Sequence, residues 1–334
     1  MPGLTEFGIP AHGDWLEEAR KCRSDCALFD FSFMSRARVE GSNARRLLER
    51  VQTRSLAQMN PGGIRYGLCL DSLGAVRSDI TIWCHDRESF DIYSGDHADI
   101  RRTLELSSGG VGAHDLSEDT AVFAVQGPGT LDALAAISDV GQLAEIAYFQ
   151  HRESVIAGIT CQVGRLGYTG ERGFEIVPLR YADAGSLYGA LAKWIQPAGL
   201  LAADLLRIEA GYLLFTSDCR LHCGPAALGL GKFDAAAQQS KGFRRIFVHL
   251  KEDLLRQPYA APEIFDPPAP GTIAVTSASP SVSLGGTIGM GLINSDDTLD
   301  NLHATIFPRD AALTPNLRPF YDPDKLVVRG HWAR

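Results

Sequence analysis

The stretch GRLGYTGERGFEIVP (164–178) sets glycines at 164, 167, 170 and 173 ahead of a lone carboxylate, Glu175, held between Phe174 and Ile176. Four glycines at period three are too few for a collagen-type run, and neither a G-x-G-x-x-G nor a Walker spacing is present. Glycine tolerates positive φ and close backbone approach, so GYTGERG between two strand-like runs is expected to be a tight connection of antiparallel strands. In the strand that follows, alternation puts Phe174 and Ile176 on one face and Glu175 on the other. Glu175 is then either a solvated edge residue or an acid aimed into a cavity. In a cavity its two oxygens would match a ligand with two adjacent N–H groups, such as a guanidine-like or aminopyrimidinone ring.

Outward from this stretch the chain mixes strands and helices. SRARVEG (35–41) alternates as a strand, after which Ser42 is a candidate cap for a helix with Leu47, Leu48 and Val51 at helical spacing. IRYGLCL (64–70), the turn DSLG (71–74) and SDITIWC (78–84) read as a hairpin. SFDIYS (89–94) adds a strand, and Asp96 can cap a helix carrying Ile100 and Leu104. A second unit holds the strand AVFAV (121–125), a helix start at Gly127-Pro128 with Pro128 in the first turn, and strands around 153–163 and 174–179. The segments 183–195 and 199–214 are helical in pattern. Past residue 255 the Pro, Thr, Ser, Val and Gly content indicates a small β-rich unit.

The chain has 334 residues, 45% of them hydrophobic, enough for two or three domains with substantial cores. Its formal net charge of −8 argues against a nucleic-acid or bilayer partner and for a small-molecule ligand. Seven cysteines without a CxxC pair do not form a disulfide framework. With no signal-like start and no apolar run near the roughly 18 residues of a membrane span, a cytoplasmic protein is expected.

Other candidate residues are few. Asp79, at the start of DITIW, is either a turn-and-cap residue or an acid that holds a cationic nitrogen or moves a proton. Asp71 sits in a turn where aspartate is common and receives no role. Cys219-Arg220-Leu221-His222-Cys223 and the Cys22/Cys26 pair contain soft ligands but lack paired zinc spacing, so no metal is expected. No histidine accompanies a serine elbow or cysteine motif of a hydrolase.

Six segments together resemble the glycine cleavage system T protein, a tetrahydrofolate-dependent aminomethyltransferase: LFDFSFMSRARVEG (28–41), RYGLCLDSLGAVRSDI (65–80), FAVQGPG (123–129), GRLGYTGERGFEI (164–176), AGLLAADLLRIEAGYLLF (198–215) and PFYDP (319–323). The resemblance implies an α+β fold, a three-domain cloverleaf around a central folate site. Residues 1–37 with 116–222 would form the first domain, 38–115 with 223–256 the inserted second, and 257–334 a β-rich, barrel-like third. It implies tetrahydrofolate as the acceptor, with Glu175 on the pterin ring, Asp79 as the catalytic acid, and Tyr66, Tyr168 and Met34 at folate-cavity positions. Ser94 stands where the family has a cavity asparagine.

Other departures cluster near the transferred group. Ser78 replaces the first acid of an Asp-Asp pair, Ala203 an arginine, Ala227 a glutamate, and Asp322 an arginine in the tail. The resemblance therefore implies a transferase for an aminomethyl or methyl group whose small-molecule donor is open, with a carrier protein or a dehydrogenase as a further partner. Two alternatives stand beside it. One is a non-catalytic folate-binding protein of the iron-sulfur assembly type, whose K-G-C-x-x-G-Q-E signature is matched only by Lys241-Gly242-Phe243, with Phe243 in the cysteine's place. The other is the folate subunit of a flavin-dependent amine dehydrogenase.

Overall fold

The computed structural model describes residues 4–234, 242–261 and 266–332, and in them the chain builds three sheets. Lys241 of the string just named lies outside the described residues; Phe243 opens a strand.

In the first sheet Gly173–Pro178 is an interior strand, antiparallel to Phe123–Gln126 on one side and Ile159–Gly164 on the other. Beyond these lie Ala27–Asp30 with the short Pro197–Ala198, and His151–Ile156. GYTGERG is therefore the connection of two adjacent antiparallel strands, as its glycines require. Gly170 has φ +86°, and a Cβ there would sit 2.6 Å from the Cβ of Ala210. Gly164 leaves room for a neighbour: a Cβ would lie 2.2 Å from the ring of Trp83, which belongs to the second sheet. Phe174 and Ile176 pack with Val163, Leu187 and Leu191 in one core, each burial contributing roughly 1.5–3 kcal/mol. Glu175 faces the other way.

The second sheet is antiparallel throughout, in the order Ile64–Leu70, Val76–Cys84, Ser89–Ser94, Ser35–Glu40, Gly112–Asp115. Asp71 closes the first hairpin by accepting hydrogen bonds from the amides of Leu73 and Ala75 at 2.8 and 2.9 Å. Helices Ala44–Val51 and His97–Leu106 cover one face, burying Leu47, Leu48, Val51 and Ile100 against Ile80, Ile82, Phe90 and Ile92. Asp96 caps the second helix, accepting from the Ala98 amide. The first helix departs from expectation: Asn43, not Ser42, is its N-cap, because the Ala44 amide donates to the Gly41 carbonyl and closes a turn that delays the start. Pro128 likewise precedes its helix, Thr130–Leu134, since Thr130 donates its amide and hydroxyl to the Gly127 carbonyl.

The third sheet runs Tyr259–Ala260, Thr272–Pro280, Thr287–Asn294, Phe243–Leu250, Leu313–Asn316, with His303–Ala304 parallel to the second of these, an open path among the described residues rather than a closed barrel. Phe243–Leu250, grouped from the sequence with the inserted unit, pairs residue for residue with Thr287–Asn294 and so lies in this sheet. No helix of the described residues is long and apolar enough to cross a membrane.

Helix Leu200–Ala210 joins the first core to the third sheet. Gly211 ends it in the left-handed region at φ 72°, where glycine carries no steric cost. Arg207, fully buried on this helix, donates to Asp204 at 2.7 Å, Asp218 at 2.6 Å and the Ser277 hydroxyl of the third sheet at 2.8 Å. Removing one partner of a buried ion pair strands the other charge. Arg207→Ala is expected to lower the free energy of unfolding by about 3–5 kcal/mol, read from urea denaturation. A loss below about 1 kcal/mol would show that the pair does not fasten the helix to the sheet.

Candidate functional site

The three sheets and the C-terminal segment enclose a cavity of about 680 Å³, within the range of small-molecule sites. Strand 173–178 contributes Glu175, strand 76–84 contributes Asp79, strand 64–70 contributes Tyr66, the glycine-rich connection contributes Tyr168, and Met34 enters from the turn after the first strand. Five residues distant in sequence thus meet in one space. Ser94 does not join them: its hydroxyl donates to Asp99 at 2.7 Å and accepts from the Asp96 amide, fixing the start of helix 97–106.

Glu175 is 8% exposed and receives no side-chain hydrogen bond or ion pair from any described residue. Buried carboxylates are normally paired. Desolvation alone raises its pKa to about 7. Around the same cavity the Tyr93 hydroxyl, the Thr81 hydroxyl and the Arg65 Nε are buried without partners among the described residues. This set of orphaned donors and acceptors is what a polar ring would satisfy.

Asp79 is raised to about 6, first by burial and further by the charge of Asp99, while a hydrogen bond from the Tyr66 hydroxyl pulls it down. An acid titrating near neutrality can hold or accept a proton. Asp99, fully buried, also receives the Ser78 hydroxyl at 2.7 Å and an ion pair from Arg77. The two serines that replace polar family residues therefore converge on one acid outside the cavity. Ala203 and Ala227 are buried in apolar clusters.

The walls are largely aromatic. Tyr168 donates its hydroxyl to the Leu213 carbonyl at 2.7 Å, stacks on Tyr212 and meets Phe31 edge-on; Tyr66 packs edge-on against Phe233 with centroids 4.9 Å apart. The Cys and His candidates for metal binding are dispersed: Cys22 donates to the Gln126 carbonyl in the core, His222 is exposed, and no group of three His, Cys, Asp or Glu side chains among the described residues could hold an ion.

Two further contributions were not foreseen from sequence. Arg54, Arg65, Lys232, Arg245, Lys325 and Arg329 all line the cavity. Lys325 and Arg329 come from the segment after PFYDP, whose Asp322 accepts hydrogen bonds from the Leu326 and Val327 amides and so starts the last helix. Tyr321 donates to Glu171 and lies under Arg23 at 3.7 Å, and Trp332 stacks on Phe174. Nothing local in the sequence marks these cations, since the six arrive from five separate stretches.

The family described as the GCVT N-terminal domain matches residues 6–236. The chain belongs to the GCVT family. An aminomethyltransferase of Mycobacterium bovis is 30% identical over 325 residues, covering 89% of this chain and 86% of that protein. One of Halothermothrix orenii is 29% identical over 327 residues, with 90% and 88% covered. The crystal structure of the glycine cleavage system aminomethyltransferase T from Bartonella henselae superposes with a TM-score of 0.68 at 25% identity, over 84% of this chain and 81% of that one. The GCVT fold thus accounts for the mixed α/β layers and sheets seen here.

The raised pKa of Glu175 has a signed consequence for this GCVT protein without ligand. The folded state holds a proton that the unfolded state releases near the ordinary glutamate value of 4.5, so this group's contribution to stability falls as pH rises from there and levels off above about 7. Glu175→Gln should therefore gain stability relative to wild type as pH goes from 5 to 8, measured by thermal unfolding at stepped pH. A pH-independent difference would mean that Glu175 is solvated.

Proposed function

We propose that this chain is a tetrahydrofolate-dependent transferase that moves an aminomethyl or methyl group from a small donor to the folate. The observation that carries this reading is Glu175, a buried carboxylate without a partner among the described residues, in a cavity that also holds a near-neutral acid. The aminomethyltransferases it resembles over nearly their whole length supply the reaction class.

The fit to a reduced folate rests on the residues present. Two adjacent N–H donors of an aminopyrimidinone edge answer the two free oxygens of Glu175. The rings of Tyr168, Tyr66, Phe31 and Tyr93 offer flat walls, and the cations offer partners for carboxylates. When bound, the folate supplies a nucleophilic nitrogen to accept the one-carbon unit. Glu175 orients it, and Tyr168 and Met34 exclude water. Tyr66 lies beside Asp79 and favours its charged form. Asp79 takes up a proton or offsets positive charge at the transferred carbon. No protein nucleophile is needed, so positioning carries most of the rate. We further propose that the three sheets mark the three domains of the cloverleaf, with the cavity between them.

Isothermal titration with tetrahydrofolate is expected to show saturable binding to the wild type, weakened by Glu175→Ala by about 1.5–3 kcal/mol, the size of a lost hydrogen bond to a charged group. At pH 6, where wild-type Glu175 is largely protonated, binding should release a proton that Glu175→Gln does not. Binding indifferent to both changes would remove Glu175 from the site. Asp79→Asn should retain binding and lose turnover of a confirmed donor by about 10²-fold or more; full turnover would remove Asp79 from catalysis.

A further inference from the structure

The segment after Arg318 is held differently at its two ends. At its start Pro319 packs on Gly211, where a Cβ would lie 2.5 Å from the proline ring, and Phe320 enters the apolar cluster of Ile208, Phe247, Ile288 and Met290. The Tyr321 amide donates to the Glu209 carbonyl at 3.2 Å, while its ring and hydroxyl meet Arg23 and Glu171. Apolar burial and a satisfied ion cluster anchor this end.

At the far end the Gly330 carbonyl accepts from Arg165, the His331 carbonyl accepts from Arg172 at 2.8 Å, and Trp332 stacks on Phe174 with centroids 5.6 Å apart. The guanidinium carbons of Arg165 and Arg172 stand 5.5 and 5.4 Å from the Trp332 ring, within cation–π range. This hold is incomplete. The Nε atoms of both arginines and the Trp332 Nε1 are buried without hydrogen-bond partners among the described residues, and water would satisfy them on release. Burial, and after it Arg172, lowers the pKa of Arg165, so the two cations also oppose each other.

Between these ends lie Asp322 at φ 41° and Lys325 at φ 57°, two non-glycine residues in the left-handed region within four positions. Such a backbone persists only where its surroundings impose it. Here the Asp322 carboxylate accepts the Leu326 and Val327 amides, and its carbonyl accepts the Lys325 amide at 2.9 Å. The helix Leu326–Arg329 that follows buries only Val328 and leaves Leu326 exposed. Lys325 and Arg329 line the cavity, where they meet like charge. Burial lowers the Lys325 ammonium to about 8; Asp322 opposes that, and Arg245, Arg23 and Lys232 add to it.

We infer that residues 322–332 are a lid on the cavity, hinged at Asp322 and Lys325 and latched by Trp332 on Arg165 and Arg172. The two latch arginines bracket the connection that carries Tyr168 into the cavity, so undocking loosens the strap and that connection together. Negative charge on a bound ligand relieves the repulsion on Lys325 and Arg329 and so favours the closed form. Entry and release of the ligand then wait on the lid. That last step rests on the folate reading above; the lid itself does not.

Two measurements on the full chain test the lid and its gating separately. In unliganded protein, hydrogen exchange read by mass spectrometry should show residues 322–332 opening while strand 173–178 stays protected. Trp332→Ala should speed that opening by about tenfold or more, and Trp332→Phe, which keeps a stacked ring, by far less. Residues 322–332 exchanging only in step with strand 173–178 would overturn the lid. In stopped-flow mixing with tetrahydrofolate, dissociation from Trp332→Ala should be about tenfold faster or more than from wild type; equal dissociation would overturn the gating. Arg172→Gln removes one cation and the bond to the His331 carbonyl without touching a core, and it should move both readouts the same way even where Trp332→Ala folds poorly. No change in either readout would overturn the latch. Independent opening of 322–332 in a wild type that binds no tetrahydrofolate would support the lid and remove the folate reading.

Discussion

The buried cluster around Arg207 holds the architecture together. One guanidinium, fully enclosed on helix 200–210, engages Asp204 of its own helix, Asp218 of the segment that follows and Ser277 of the third sheet. Asp218 in turn accepts from Ser277 and Thr276. Charges in a poorly solvating interior tolerate little misplacement, so this cluster fixes the angle at which the third sheet meets the first core. A parallel clasp, Arg23 with Glu171, Glu209 and the ring of Tyr321, ties the tail to the same helix.

The cavity concentrates polar groups that the fold leaves unsatisfied. Glu175 and Asp79 are both pushed toward protonation by burial, the first with nothing to offset it and the second tempered by Tyr66. The cations beside them are pushed the other way, Lys325 to about 8 and Arg245 to about 10. Each shift is a cost of folding without ligand. Together they describe a space that favours a molecule with paired N–H donors and carboxylates, and that holds its transferred group near an acid able to change protonation at neutral pH.

Much of the layout was legible in the sequence because it depends on local rules. The hairpin around Asp71, the cap at Asp96 and the antiparallel connection through GYTGERG follow from turn chemistry, capping and alternation over a few residues. The misses arise where backbone or distant partners decide. Ser42 lost its cap to a turn closed by the Gly41 carbonyl, and Ser94 was drawn to Asp99 across the helix start. Phe243–Leu250 joined the third sheet because its hydrogen-bonding partner lies some forty positions onward, between Thr287 and Asn294.

By itself the sequence determined that Glu175 and its two apolar neighbours part to opposite faces of a strand, since a period of two is a property of the extended backbone. It also determined, through the order of its motifs, which positions resemble a folate site. Only the tertiary structure decided that Glu175 is enclosed without a partner among the described residues, that Asp79 lies under the influence of Tyr66 and Asp99, and that six cations from five stretches share their cavity. Desolvation and charge coupling act through space, and the groups that exert them here stand tens to hundreds of residues apart along the chain.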